Sequence, residues 1–182
     1  MFYERGKRMK KKRNAPAYIA QAALIAALYA ALTYAASFLN LAYGSIQFRF
    51  SEALTVLACF SPAAIPGLTI GCFIGNLNSP FGILDIVLGT LATFLAAYFT
   101  YATRNVKNKA GYLLAPLFST VFNAVIIGIE IAVFLPEGIT WAGFAISALQ
   151  VGLGELAVCC LLGIPLRILL VKSGTAKRIF KI

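Results

Sequence analysis

SEALTVLACFSPAAIPGLTIGCFIGNL, Ser51 to Leu77, is long enough to form one membrane-crossing helix and is apolar apart from Glu52, Asn76 and a few hydroxyl residues. At its centre lies Ser61-Pro62-Ala63-Ala64-Ile65-Pro66-Gly67, a double-proline break. Proline removes a helix donor and clashes with the preceding turn. Whether this segment counts once or twice decides the topology of the whole chain.

Four further apolar runs are plain, at roughly 16–39, 84–103, 112–134 and 144–168, each about the 20 residues needed to cross a bilayer. The basic residues mark the ends of these runs. Seven lie in Arg5 to Arg13, three in Arg104 to Lys109 and five in Arg167 to Lys181. Such clusters flank spans on the cytoplasmic side, so an even number of spans must separate the first cluster from the second. Counting 51–77 once gives three. Counting it twice, as short spans at 50–62 and 66–77, gives four. The expectation is an all-α integral membrane protein of six transmembrane helices, the second and third short, with both termini cytoplasmic. The short pair cannot cross about 30 Å of hydrocarbon unaided at 1.5 Å per residue. Broken helices of that kind line binding sites in transporters.

Composition agrees. Of 182 residues, 60% are hydrophobic and 12% charged, about half the charge of a soluble domain, and the mean hydropathy is +0.85. The net charge of +10 is not a nucleic-acid signal, because the basic clusters sit at span ends, where they face cytoplasm and anionic lipid. No A-x-A-like site follows the first run, which reads as a retained span. The expected organisation is a basic cytoplasmic segment at 1–14, one membrane domain at 15–172 and a basic cytoplasmic tail at 173–182. Cys59, Cys72, Cys159 and Cys160 fall inside apolar runs without CxxC spacing, and the chain has no histidine, so they read as small core residues and no metal site is expected.

Ionisable groups inside a membrane cost roughly 2.5–3.5 kcal/mol each at a helix centre, so those retained point to a site. On the six-helix count, Arg49 and Glu52 lie at the outer end of the second helix, and Asn76 and Asn78 at the outer end of the third. Asp85 begins the fourth. Glu130 is near the outer end of the fifth, with Asn123 about 10 Å deeper on the same face. Trp141 precedes the sixth, and Gln150 and Glu155 lie in its outer half to middle. The polar groups therefore gather in the outer half, as a pocket open to the outside requires. A channel or proton relay needs them through the full depth. Milder readings stand beside this one: Glu137 and Asp85 as caps or solvated groups, Trp141 as an interfacial anchor, Asn123 as helix–helix glue. Arg49, the only basic residue away from the cytoplasmic ends, has Glu52, another carboxylate or a ligand as possible partners.

The first helix carries two rows of small residues, Ala22/Ala26/Ala30 and Ala23/Ala27/Ala31. That spacing lets another helix approach closely, either one of the chain's own or a partner subunit's. Enzyme readings are weak: histidine-based general-base schemes, GxSxG and paired catalytic aspartates are all missing. GxxxxGK[ST] is also absent, so the chain is no primary pump by itself. A solute-binding transport subunit explains the interior carboxylates, whereas a membrane scaffold does not need them.

GSIQFRFSEALTVLACFSPAAIPGLTIGCFIGNL (Gly44–Leu77), LDIVLGTLAT (Leu84–Thr93) and AALIAALYAALT (Ala22–Thr33) together resemble the QueT family, over about residues 15–170. Members of that family are substrate-binding S-components of energy-coupling factor transporters. The resemblance implies six helices with both termini cytoplasmic, capture of a queuosine precursor (a 7-deazaguanine, queuine or queuosine) from outside, and docking of an alanine-rich first helix on a transmembrane coupling subunit. Two separate cytoplasmic ATPases would use ATP, and this chain would carry no cofactor. The setting implied is the cell membrane of a prokaryote. The runners-up are an S-component for another heterocyclic vitamin, such as a pterin or flavin, and a scaffold without solute.

The chemistry of a deazaguanine suits the acids. A carboxylate accepts a ring N–H and the neighbouring amino group as a pair, and a cationic aminomethyl arm favours a second carboxylate. Glu130 or Glu155 is expected to read that edge, with Asn123 and Gln150 on other polar atoms. Arg49 and Glu52 are expected to close the outer end through charge pairing, beneath a lid at 40–50. A purely structural Arg49–Glu52 clamp is the alternative.

Overall fold

The computed structural model describes residues 15–43, 46–106 and 110–180. The basic segment 1–14, Gly44, Ser45, Lys107, Lys109 and Lys181 lie outside them. The described residues form helices and connecting turns. These are α1 (Ala15–Phe38), a 3₁₀ helix (Phe50–Cys59), α2 (Ala64–Gly75), α3 (Ile83–Ala102), α4 (Ala110–Val133) and α5 (Trp141–Val158). A π-helical segment (Cys159–Gly163) then leads into α6 (Ile164–Lys172), and α7 (Thr175–Phe180) follows. Among the described residues, four stretches are long and apolar enough to cross a membrane: Ala15–Phe38, Ile83–Ala102, Gly111–Val133 and the continuous Trp141–Lys172.

The ends of the long helices follow local chemistry. α1 stops where Asn40 takes a left-handed φ of 56°. The Asn40 N–H then donates to Ser37 O and the Leu41 N–H to Ala36 O, both at 2.9 Å. This pair satisfies carbonyls that the last turn would leave open. Thr140 caps α5, its hydroxyl accepting from the Gly143 N–H at 3.0 Å.

The proline break divides 51–77 into two short helices. The 3₁₀ helix ends at Cys59, and the Ser61 hydroxyl holds the turn by accepting from the Ala63 N–H at 3.2 Å. α2 begins at Ala64, two residues before the start expected at 66. Ten residues of 3₁₀ helix are unusual, since its hydrogen bonds are poor and most runs last 3–4 residues. Here the helix is enclosed, packing against α1 to α6 and the π segment, with Ser51 to Ala58 all buried. At about 2.0 Å per residue it spans roughly 20 Å, against about 15 Å for an α-helix of that length.

The chain alternates between two ends of the bundle. Tyr18 near the start of α1 donates to Pro62 O at 3.3 Å, while Thr33, late in α1, bonds Ser51 at 2.8 Å. Gly67 faces Ala22, and Gly75 faces Thr33. One end thus collects the start of α1, the Pro62 turn and the segment after α5. The opposite end holds residues 39–43, 46–49, 76–82 and 134–140. Part of the expected tail is structured: Ala176 is buried, Phe180 stacks on Phe60 with centroids 5.9 Å apart, and Gln21 Nε2 donates to Ile179 O at 2.8 Å.

Candidate functional site

At the opposite end, an extended segment brings Arg49 into the bundle. Arg49 has φ −80° and ψ 93°, and its neighbours alternate: Ile46 exposed, Gln47 buried, Phe48 half-buried, Arg49 buried. Gln47 and Arg49 therefore point to the same, inner side. The Phe48 N–H donates to Leu41 O at 2.8 Å and ties the segment back on itself. Gln47's backbone lies so close to Gly154 on α5 that any Cβ there would collide with it.

Arg49 pairs with Asp85, not Glu52. Its Nη2 donates to both carboxylate oxygens of Asp85 at 3.0 Å. Asn76 Nδ2 donates to Asp85 O at 3.0 Å. Gly89, one turn along α3, leaves room: a Cβ there would sit 2.5 Å from Asn76 Nδ2. Asp85 is fully buried, so it is neither solvated nor a simple cap. Tyr43 closes the cluster from above, its ring 5.4 Å from the guanidinium and its hydroxyl donating to Gly75 O at 3.0 Å. Burial pushes the Tyr43 phenol up to about 12, although the Arg49 charge opposes the rise. The hydroxyl therefore remains a donor at neutral pH.

Glu52 faces elsewhere. Its Oε1 accepts from Tyr29 of α1 and from Thr93 of α3 at 3.1 Å; its Oε2 accepts from Ser119 of α4 at 2.7 Å. Three hydroxyl donors satisfy the carboxylate inside the protein, so Glu52 ties α1, α3 and α4 to the 3₁₀ helix. The Arg49–Glu52 pairing and the clamp built on it are both corrected here. Tyr29, Thr93 and Ser119 had no local signal in the sequence, because each lies on a different helix.

The remaining acids lie on α4 and α5. Ser119, Asn123, Ile127 and Glu130 share one face of α4, each no more than 1% exposed. Asn123 Nδ2 donates back to Ser119 O at 3.0 Å, leaving Oδ1 without a partner. Glu130 is fully buried, and neither carboxylate oxygen has a hydrogen-bond partner. On α5, Glu155 is 1% exposed and meets the Cys159 thiol at 3.9 Å, a weak contact. The π segment sets that thiol, which also lies 3.7 Å from Glu52 O. Pro165 explains the π segment, since its ring would clash with the carbonyl four residues back in a regular helix. Gln150 is half-buried.

Two expected groups stand apart. Trp141 is 88% exposed and lines an apolar cleft of about 600 Å³ with Ile129, Ile139, Thr140 and Phe144; it does not join the buried acids. The alanine rows are divided. Ala26 and Ala30 are buried and Ala22 half-buried, while Ala23, Ala27 and Ala31 are exposed. Ala22 and Ala26 pack on Gly67 and Gly71 of α2, where a Cβ on Gly71 would stand 2.8 Å from Ala26 O, and Thr33 meets Gly75. Ala22, Ala26 and Ala30 therefore belong to the chain's own packing. Gln47, an uncharged residue with no sequence signal of its own, is 1% exposed with its Nε2 unpartnered.

Comparison with known proteins points one way. The family model described as QueT transporter matches residues 19–172. A protein named queuosine precursor transporter QueT, from Lactococcus lactis subsp. cremoris (strain MG1363), is 31% identical over 135 residues, covering 69% of this chain and 79% of that protein. No solved structure matches.

Proposed function

The chain belongs to the QueT transporter family, and from that premise we propose that it is the solute-binding subunit of an energy-coupling factor importer for a queuosine precursor of the 7-deazaguanine type. The observation that carries the reading is Glu130, fully buried with two unpartnered carboxylate oxygens. A buried acceptor pair without donors carries a desolvation penalty, which a ligand offering two adjacent N–H groups removes. A deazaguanine offers a ring N–H beside an amino group. Arg49 is already neutralised by Asp85, so with Glu130 on the ring edge Glu155 remains to receive a cationic aminomethyl arm.

Direction follows from charge. Arg104, Arg167, Lys172, Lys177 and Arg178 lie at the end that holds the Pro62 turn and α7, and the positive-inside rule makes that end cytoplasmic. The acids then lie toward the outside, and residues 40–43 and 46–50 over them form part of a lid. The six-span topology, with both termini inside, treats the 3₁₀ helix and α2 as the second and third crossings, shielded by the long helices. Ala23, Ala27 and Ala31 form the face for the coupling subunit, and two cytoplasmic ATPases supply the energy.

Replacing Glu130 tests the pocket. Glu130→Gln keeps the shape but puts an NH₂ where an acceptor is needed. It is expected to weaken binding of 7-aminomethyl-7-deazaguanine by roughly tenfold to hundredfold, the loss of a hydrogen bond to a charged group, in a protein that still folds. Unchanged affinity would remove Glu130 from the site.

A further inference from the structure

Among the described charged residues at the basic end, Arg167 alone is buried, at 9% exposure, while Arg104, Lys172, Lys177 and Arg178 are exposed. The Arg167 guanidinium donates to Gly111 O and lies over the Tyr112 ring, 4.5 Å from its centroid. A carbonyl and a ring face orient a guanidinium but leave its charge uncompensated. Arg49, by contrast, has Asp85, the one ion pair among the described residues. The other described acids are committed or distant. Glu52 accepts from Tyr29, Thr93 and Ser119, Glu155 lies about 18 Å back along the same span, and Glu130 and Glu137 lie toward the opposite end. Lys107-Asn108-Lys109, just before α4 in sequence, adds no carboxylate. A buried charge without a partner is costly, so the position calls for an anion. A second guanidinium is joined to it through direct contacts. Arg104 donates through Nη1 to Tyr101 O at 2.8 Å and lies 3.9 Å from the centroid of the Tyr101 ring. Its turn continues to Val106, whose carbonyl is so close to Gly111 that any Cβ there would collide with it. Gly111 is the residue that accepts from Arg167.

We infer that Arg167 and Arg104 hold the phosphate of an anionic phospholipid in the leaflet at this end. A guanidinium meets phosphate oxygens with paired N–H groups, and the two tyrosine rings hold both guanidinium groups in place. Depth favours a lipid over a soluble anion. Arg104 follows the span Ile83–Ala102, Tyr112 lies at the start of Gly111–Val133, and Arg167 is five residues from the end of Trp141–Lys172. All three therefore sit at one membrane border, where anionic headgroups are concentrated. The surface beside them suits acyl chains, with Val106, Leu113 and Ile168 36%, 56% and 36% exposed. The site involves neither the solute nor its pocket and stands on membrane insertion alone.

The experiment measures binding of phosphatidylglycerol and phosphatidylcholine of equal chain length to the full-length protein by native mass spectrometry. The choline cation cancels the phosphate charge, so the wild type is expected to prefer phosphatidylglycerol by about tenfold, the size of one hydrogen bond to a charged group. Arg167→Gln keeps a donor for Gly111 and should remove most of that preference. Lys177→Gln loses the same charge from an exposed position on α7 and should keep it. Arg104→Gln, also exposed, should lower the preference by about threefold, the size of a weak surface pairing, with an unchanged unfolding midpoint. If Arg167→Gln does not fold, Arg104→Gln decides, and an unchanged preference there overturns the assignment. Equal losses in Arg167→Gln and Lys177→Gln would reduce the effect to the general field of the basic end and overturn the site. A wild type without preference would overturn it too, as would displacement of the lipid by excess inorganic phosphate, which would make the occupant a soluble anion.

Discussion

Arg49 shows how a buried charge is held here. The residue is 1% exposed, and its guanidinium reaches both oxygens of Asp85. Removing one member of a buried pair leaves the other uncompensated, which costs about 3–5 kcal/mol. Asp85→Ala is therefore expected to destabilise the protein by about that amount in chemical unfolding, and the double change Arg49→Leu with Asp85→Leu by clearly less. A single change that costs under about 1 kcal/mol would mean that the pair is not buried as described. The sequence made both residues conspicuous but not their pairing. Arg49 and Glu52 are neighbours only if both lie on one α-helix. Arg49 is extended, and Glu52 lies in the first turn of a 3₁₀ helix, so the spacing misled. Gln47 was missed for another reason: an uncharged amide two residues before an arginine gives no sign that it is buried without a partner.

Packing of α1 on α2 separates two roles that the alanine rows left open. Gly67, Gly71 and Gly75 let α2 approach α1 so closely that a Cβ on Gly71 would stand 2.6 Å from Tyr29 Cβ. Gly71→Val is expected to cost about 1–3 kcal/mol through overpacking, seen as a lower unfolding midpoint. Ala27→Leu, on the exposed row, should stay within about 0.5 kcal/mol of wild type while co-purification with the coupling subunit falls. Stable docking in Ala27→Leu would remove that row from the partner face. The small-residue spacing was readable in α1, and the G-x-x-x-G-x-x-x-G repeat in α2 shows which row turns inward. The break at Ser61 to Pro66 was equally readable. The 3₁₀ form was not, because it follows from enclosure by neighbouring elements, which no local pattern records.

The four long spans match the apolar runs to within a few residues, since length and hydropathy alone define them. Depth and direction are properties of the whole molecule. If the basic end is cytoplasmic, an epitope inserted after Arg104 should be protected in right-side-out vesicles, and one inserted after Glu137 should be accessible. Protection of both would break the six-span topology. The bundle is proposed to hold a site for a queuosine precursor, and titration of the purified protein in nanodiscs decides whether it does. The ligands are 7-aminomethyl-7-deazaguanine, 7-cyano-7-deazaguanine, queuine and queuosine, with guanine, riboflavin and folate as controls. Saturable binding of at least one precursor, tighter than any control, is the predicted result. Folded protein that binds none of the four, or that prefers riboflavin or folate, would contradict the claim.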